Sequence, residues 1–243
     1  PEERINWTLS ASFKHQKAKY EDIGNSLDQF NKENLNTSLV RYYDGGSPTA
    51  LWAVRSLGIN PSDGRELFLT KEGTYTFEYD TEDEVVVGNS EPKLEGVLGS
   101  TLYWKGFSFS LYFRYSLGAD VFTEATYNKV ENISLAGLKS NQDKRALHDR
   151  WQKPGDHAKF KGISLTETTP ISSRFVLREN YIKAESISVG YDFESQAVQK
   201  LGIQSLRLQA NTTDLFRISS IKEERGIEYP FARSFSFSLS AMF

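Results

Sequence analysis

The end of the chain alternates strictly between two kinds of side chain. Within residues 231–243, Phe235, Phe237, Leu239 and Phe243 occupy alternate positions, and serines occupy most of the positions between them. Because successive side chains of a β-strand point to opposite faces, this segment predicts a strand with one apolar face and one hydroxyl face. A strand of this kind suits a bacterial outer-membrane barrel, since one face meets lipid and the other a wet lumen. We further expect these four apolar residues to act as the C-terminal signal that the barrel assembly machinery reads.

The same alternation recurs upstream. Residues 107–117 place Phe and Leu on one face and Ser, Tyr112 and Arg114 on the other, and residues 94–104 precede them with a similar pattern. Lys105-Gly106 between them reads as a two-residue hairpin turn, which would make Trp104 and Phe107 cross-strand neighbours. Further strands are predicted at residues 5–16, 181–193 and 203–211. Their lengths suit tilted strands that cross a bilayer.

Composition excludes several other classes of protein. No apolar run approaches the roughly 18 residues of a membrane-spanning helix, and the mean hydropathy is −0.50. The chain has no Cys, which excludes disulfides and thiolate metal sites. A net charge of −3 does not indicate the basic surface that nucleic-acid binding requires. We expect no cofactor.

The remaining segments predict long connections on one side of the barrel. A short helix is predicted near residues 26–35, strand pieces at 39–43, 49–56, 66–70, 74–79 and 85–87, and a turn at 60–64. Residues 118–180 contain no sustained barrel strand, which predicts a functional outer loop, and residues 212–230 form a second one. The short connections at 105–106 and 194–201 are then periplasmic. The chain opens almost directly in a strand without a signal peptide, so we expect the C-terminal part of a longer protein.

Several short motifs occur in order along the chain. Residues 56–61 read Ser-Leu-Gly-Ile-Asn-Pro, 88–92 read Gly-Asn-Ser-Glu-Pro, 149–156 read Asp-Arg-Trp-Gln-Lys-Pro-Gly-Asp, 172–175 read Ser-Ser-Arg-Phe, and 188–191 read Ser-Val-Gly-Tyr. This series resembles the SusC/RagA family of TonB-linked outer-membrane proteins from Bacteroidetes. Asn60 stands where that family usually has Asp. The resemblance covers essentially the whole chain.

The resemblance implies an all-β fold and a role in transport. It implies that residues 1–243 form the C-terminal portion, about eight to ten strands, of a 22-stranded antiparallel transmembrane β-barrel, with the plug domain and signal peptide absent. The implied activity is TonB-dependent import across the outer membrane, with no enzymatic step. The implied partners are a SusD-like surface lipoprotein, TonB through the missing N-terminal part, and lipid. The substrate is an oligosaccharide or peptide too large for porins, and we favour an oligosaccharide.

Candidate contact residues fall into two groups. Arg150, Trp151, Asp156 and Arg174 lie in the predicted outer loop, where an aromatic ring can stack on a sugar or anchor a partner. The alternative for Trp151 is packing beneath the loop. The residues predicted to face the lumen are Tyr112, Arg114, Arg207, Gln209 and Asn211. These could line a substrate path or contact the plug.

Other functions find less support in the sequence. His148 and His157 flank Asp149 and Asp156, but the spacing matches no recognised metal-ligand motif. The acidic residues 82–84 suit a solvated turn better than a Ca²⁺ site. An outer-membrane barrel enzyme would need a clustered catalytic set, and none stands out. A soluble β-sandwich binding module would bury the aromatic faces in an internal core, and this alternative remains open here.

Overall fold

The computed structural model describes residues 5–164, 166–193, 198, 200, 202–222 and 233–243. Of the predicted turn at 194–201 only residues 198 and 200 are described, and residues 223–230 of the predicted loop 212–230 lie outside the described ranges. The chain divides into two compact units. Unit 1 comprises Pro1–Gln16, Pro92–Gly118 and Glu179–Phe243, and unit 2 comprises Lys17–Glu91 and Ala119–Arg178. Within the described ranges, no helix is long and apolar enough to span a membrane.

Strands dominate the secondary structure. The strands are β1 (Asn6–Ala11), β2 (Ala50–Ile59), β3 (Glu66–Leu69), β4 (Tyr75–Thr76), β5 (Glu84–Asn89), β6 (Leu94–Trp104), β7 (Phe107–Phe122), β8 (Val176–Phe193), β9 (Ser205–Thr213), β10 (Arg217–Ser219) and β11 (Ser234–Met242). The α-helices are short: α1 (Asp28–Glu33), α2 (Glu124–Thr126) and α3 (Arg145–His148). Single 3₁₀ turns lie at Thr81–Asp83, Gly137–Lys139 and Ser173–Phe175, and a π-turn at Tyr127–Glu131.

Unit 1 is built on one antiparallel sheet. Its described strands follow the order β1-β6-β7-β8-β9-β11, and β10 pairs with β8, giving seven strands. Because β1 pairs directly with β6, the chain between them leaves this sheet and returns to the neighbouring position. The expected eight to ten strands therefore exceed those of this sheet, since the strand pieces predicted between residues 49 and 87 form a separate sheet.

The β6–β7 hairpin follows the sequence pattern residue by residue. Trp104 pairs with Phe107, and the pairing continues in register to Leu94 and Leu117. Lys105 and Gly106 both have positive φ, 48° and 81°, as a two-residue turn that matches strand twist requires. The predicted hairpin is confirmed.

The two faces of the unit 1 sheet differ in chemistry. The apolar face carries Trp7, Phe109, Val189, Leu208 and Phe237, and the polar face carries Ser108, Tyr112, Ser188, Gln209 and Asn211. Trp7 is 64% exposed and Phe237 is 76% exposed. Apolar surface of this extent is costly in water and suits contact with lipid.

Two glycines of β6 allow tyrosines from β7 to lie across the sheet. Gly96 pairs with Tyr115, and Gly99 pairs with Tyr112. A Cβ atom at Gly96 would lie 1.9 Å from the carbonyl oxygen of Ser12, which leaves no room for a side chain. The Tyr115 hydroxyl instead reaches over β6 and donates a 2.9 Å hydrogen bond to that carbonyl. The glycine thus joins β1 and β7 through a side chain that spans the strand between them.

Unit 2 contains the second sheet and a small core. Its strands follow the order β4-β3-β2-β5, all antiparallel. The core of the second segment consists of Val130, Ala146, Phe160 and Phe175, with Phe122, Tyr127 and Ile133 packed against it. The predicted loop 118–180 is thus a folded body, and it is shorter than expected because β7 runs to Phe122 and β8 begins at Val176.

Residues 39–43 do not form the predicted strand. Arg41 is buried, and its guanidinium Nη1 donates to the carbonyl oxygens of Ser38 and Val40 at 2.7 and 2.9 Å. Side-chain bonds to nearby backbone groups compete with the pairing that a strand needs. The helix predicted at residues 26–35 is present as α1.

Candidate functional site

A buried ion cluster lies at the centre of unit 2. Arg174 lies between Glu66, the first residue of β3, and Glu131, the last residue of the π-turn. The Arg174 Nη2 atom is 2.9 Å from a carboxylate oxygen of each glutamate. Nε donates to Glu66 at 3.2 Å and Nη1 donates to Glu131 at 3.1 Å, so the guanidinium binds each carboxylate through two nitrogens. We call these three residues the Arg174 triad.

The triad is nearly inaccessible to water. The side chains of Glu66 and Glu131 are 2% and 0% exposed. Ser172 Oγ donates to Glu66 at 2.6 Å and Thr169 Oγ1 donates to Glu131 at 2.9 Å, so remaining carboxylate lone pairs are also engaged. Burial alone would lower the pKa of Arg174, but hydrogen bonds to Glu131 and Glu66 outweigh it and raise that pKa. Arg174 therefore stays charged near neutral pH.

Arg150 extends this network to the backbone. Its buried guanidinium donates to the carbonyl oxygens of Lys161 and Glu131 at 2.9 and 2.7 Å, and to that of Val130. Burial lowers the pKa of Arg150, although Glu131 opposes the shift. Arg150 thus holds two parts of the second segment together through their main chain.

Trp151 packs against the turn at residues 60–64. Its indole Nε1 donates to the carbonyl oxygen of Pro61 at 2.9 Å, and the Gly155 N–H donates to the same oxygen at 2.8 Å. Gly64 has φ of +73°, and a Cβ atom there would lie 2.5 Å from the Trp151 ring. The motif at residues 149–156 therefore packs on the turn at residues 60–64, with the Trp151 ring lying on Gly64.

Asp156 closes the turn that follows Trp151. Its Oδ2 atom accepts hydrogen bonds from the backbone N–H groups of Gln152 and Lys153 at 3.0 and 2.9 Å. The structure thus brings all four outer-loop candidates into unit 2, where each makes internal bonds. Substrate or partner contact by Arg150, Trp151, Asp156 and Arg174 stays a prediction.

Unit 2 contains a second buried ion pair, which the sequence did not predict. Arg41 donates to Glu84 through Nε and Nη2, at 2.9 and 2.8 Å. Burial raises the pKa of Glu84, and the charge and hydrogen bonds of Arg41 oppose that shift. The partners lie 43 residues apart, so no spacing rule links them. Glu84 belongs to the acidic stretch considered for Ca²⁺, and the structure instead engages it with Arg41.

The polar face of unit 1 brings three of the predicted lumen residues together. Gln209 Nε2 donates to Ser188 Oγ at 2.9 Å and to Asn211 Oδ1 at 2.8 Å. Arg207 Nη2 donates to Ser108 Oγ at 3.2 Å. These bonds join β7, β8 and β9 through their side chains, on the face opposite Leu208.

The other two predicted lumen residues are also held by neighbours. Arg114 donates to Glu185 through Nε and Nη2 at 3.1 and 2.7 Å. The Tyr112 ring lies against β6, since a Cβ atom at Gly99 would be 2.8 Å from it. Tyr112 is nevertheless 37% exposed.

The apolar residues of the last strand lie on the opposite face and are exposed. Phe237 pairs with Ala210 and Leu239 pairs with Leu208, while Phe235 pairs with Thr212. Phe243 follows the strand and is 80% exposed. That the barrel assembly machinery recognises these residues stays a prediction.

Within the ranges that the structure describes, no three His, Cys, Asp or Glu side chains come together in a way that could hold a metal ion.

The chain is similar in sequence to two curated TonB-dependent receptors. No protein-family model matches it. It is 24% identical over 161 residues to TonB-dependent receptor P39, and 25% identical over 173 residues to TonB-dependent receptor P3, both of Formosa agariphila. These matches cover 65% and 71% of this chain. They cover 15% and 16% of the relatives, so the chain spans about a sixth of their length.

Solved structures share the fold. The RagAB peptide transporter superposes with a TM-score of 0.71 at 15% identity, over 91% of this chain and 24% of that one. The RagAB peptide importer in its "closed-closed" state gives 0.70 at 16% identity, over 90% and 24%. The predicted resemblance is confirmed, since the curated relatives are named TonB-dependent receptors and the chain shares its fold with RagAB. The all-β, antiparallel fold predicted as part of such a barrel is confirmed as well. These relatives and neighbours are named as receptors and transporters.

Removing the cation of the Arg174 triad should loosen unit 2. Arg174→Met leaves two buried carboxylates without a counter-charge, a change that costs about 3–5 kcal/mol. We expect faster hydrogen exchange over residues 119–178 of the full-length protein. Arg65→Met is the matched control, because the Arg65–Asp63 pair is exposed and contributes little to stability. Equal exchange in the two variants would show that the triad does not hold this unit.

Two substitutions distinguish packing from contact at Trp151. Trp151→Phe removes the bond to Pro61 and should cost about 1 kcal/mol, whereas Trp151→Ala also empties the space over Gly64 and should cost about 3 kcal/mol. Exchange at residues 60–64 should rise in that order. A fall in co-purifying partner protein for Trp151→Phe, with unchanged exchange, would instead indicate direct contact.

Proposed function

We propose that this protein imports a nutrient across the outer membrane as a TonB-dependent receptor. The observation that carries the proposal is the unit 1 sheet. Its strands pair in sequence order, expose an apolar face suited to lipid, and carry polar side chains on the other face. The shared fold with RagAB and the sequence similarity to two TonB-dependent receptors support the same function. In this proposal the protein is not an enzyme.

The proposed location is the outer membrane, with unit 1 as part of the barrel wall. Phe235, Phe237, Leu239 and Phe243 then face lipid or the assembly machinery. Lys105-Gly106 marks the periplasmic side, because barrels of this class have short periplasmic turns and long outer loops. The connections predicted at residues 118–180 and 212–230 are then outer loops.

The proposed partners are a SusD-like surface lipoprotein and TonB. The lipoprotein would cover the outer mouth and contact the outer loops, where Arg150, Trp151, Asp156 and Arg174 lie. Support comes from the RagAB importer, whose structures include "closed-closed" and "open-open" states. TonB would act through a part of the receptor other than these residues.

The proposed substrate is an oligosaccharide too large for porins. Support comes from the polar face, where Ser108, Tyr112, Ser188, Gln209 and Asn211 offer hydroxyl and amide groups. Such groups match the hydroxyl-rich edges of sugars, and an aromatic ring can cover a sugar face. The RagAB structures are described as a peptide transporter, so peptides are the competing substrate class.

Adjacent positions of β9 test the membrane orientation. Leu208 lies on the apolar face and Gln209 on the polar face. An arginine that faces lipid near the bilayer midplane costs about 2–4 kcal/mol, whereas one that faces the lumen is tolerated. Leu208→Arg should therefore reduce the heat-modifiable, folded receptor in the outer-membrane fraction, and Gln209→Arg should not. Similar yields for both, or a receptor found in the soluble fraction, would refute the proposal and favour a soluble sandwich.

Loss of the gene tests import. We expect a deletion strain to lose growth on an oligosaccharide while keeping growth on its monosaccharide, because only the larger molecule needs active import. Growth on peptides as nitrogen source should be unchanged. Loss of growth on peptides alone would replace the oligosaccharide with a peptide as substrate. Unchanged growth and uptake on every substrate would refute import.

A further inference from the structure

The charged residues of the unit 1 strands occur in pairs of opposite sign. Near the middle of the described sheet, Arg114 Nη2 lies 2.7 Å from Glu185 Oε1. On the neighbouring strands, Arg207 Nε lies 3.5 Å from Asp192 Oδ1. All four side chains are between 34% and 44% exposed, so these pairs meet the space above the polar face.

The other strand charges are compensated in the same way. Arg217 pairs with Glu179 at 2.7 Å, and Lys183 pairs with Asp214 at 3.2 Å. Glu95 pairs with Lys14 at 2.7 Å. With the two central pairs, these account for every charged residue in the described strands of unit 1.

The pairing of opposite charges changes which ligands the polar face of the unit 1 sheet can attract. A single fixed charge draws ligands of opposite sign over the Debye length, about 8–10 Å in ordinary salt. The electrostatic potentials of two opposite charges at contact distance cancel beyond a few ångströms. A charged ligand therefore gains little binding free energy from such a pair. A charged ligand must still shed water to approach, and it would find no lone counter-charge there.

The groups between the pairs are neutral. Ser108, Ser188, Gln209 and Asn211 carry hydroxyls and amides, and Tyr112 adds an aromatic ring. Several of them already bond to one another, so their donors and acceptors are fixed in direction. A ligand with many weakly polar hydroxyls can bond to such a surface without needing a net charge.

We infer that this wall favours uncharged oligosaccharides over uronic, sulfated or amino sugars. The inference rests on the proposed import of oligosaccharides and specifies the substrate class. It also predicts that the charge pairs set the selectivity, since breaking one of them should expose a lone charge to the ligand.

The first test uses a mixture of hexasaccharides given to wild-type cells and to cells lacking the gene. The neutral probes are maltohexaose, xylohexaose, mannohexaose and laminarihexaose, the anionic probe is hexagalacturonate, and the cationic probe is chitosan hexamer. We expect gene-dependent depletion of one or more neutral probes only, read by mass spectrometry. Gene-dependent depletion of hexagalacturonate or chitosan hexamer at the neutral rate would overturn the inference while import stands. Depletion of no hexasaccharide would overturn the proposed oligosaccharide import as well.

The second test breaks one pair in both directions in the full-length receptor. Asp192→Asn leaves Arg207 as a lone cation and should raise hexagalacturonate uptake about fivefold at low ionic strength. Arg207→Gln leaves Asp192 and should raise chitosan hexamer uptake similarly. Both gains should fade in high salt. One variant should favour the anionic probe and the other the cationic probe. A general loss of folding cannot produce both changes.

A matched control removes a charge from unit 2. Asp22 is an exposed residue of unit 2 with φ of +60°, a conformation that asparagine tolerates. Asp22→Asn should leave the uptake of all probes unchanged. Equal selectivity in wild type, Asp192→Asn and Arg207→Gln, with normal receptor amounts in the outer membrane, would show that the pairs serve only the wall's structure and would overturn the inference.

Discussion

One guanidinium shared by two buried carboxylates holds unit 2 together. Glu66 begins β3 in the first segment of this unit, and Arg174 and Glu131 belong to its second segment. Desolvating three charges is costly, and only the dense set of hydrogen bonds around them offsets that cost. The two segments also meet through the bond from Trp151 to the Pro61 carbonyl and the bond from the Ser56 N–H to the Ser173 hydroxyl. Arg150 and Trp151 complete the same body through backbone carbonyls.

Unit 1 depends on a different constraint, the two-residue period of its strands. The Lys105-Gly106 turn fixes the register of β6 and β7, and a slip of one residue would move every phenylalanine to the polar side. Gly96 and Gly99 then allow tyrosines to lie flat across β6. The sheet thus joins three strands at a time through side chains as well as through its backbone bonds.

The sequence was most informative where the signal is local. Alternation and the turn residues predicted the β6–β7 hairpin to the residue, and the final strand within a few positions. The direct pairing of β1 with β6 could not be predicted, because it joins residues far apart in the chain. The Arg174 triad escaped prediction for the same reason, since Arg174 and Glu66 lie 108 residues apart. The strand expected at residues 39–43 was wrong because Arg41 bonds to its own neighbouring carbonyls.

The candidate contact residues illustrate a related limit. Motif resemblance drew attention to Arg150, Trp151, Asp156 and Arg174, and the structure gives each of them internal partners. A recurring motif can reflect a shared way of folding as readily as a shared ligand. Burial and bonding, which depend on distant parts of the chain, separate these possibilities better than residue type does.

The pairing of β1 with β6 has a consequence for how such a chain can change. The His15 ring and the Lys93 carbonyl, where the chain leaves the sheet and returns, are joined at 2.7 Å. The intervening stretch therefore begins and ends at nearly the same point, and its length does not affect the pairing of β1 with β6. Loop-closure entropy grows only slowly with length. Such a stretch can gain or lose residues in its exposed turns while the strands on either side keep their register, provided that Glu66 and Pro61 keep their contacts with the second segment of unit 2.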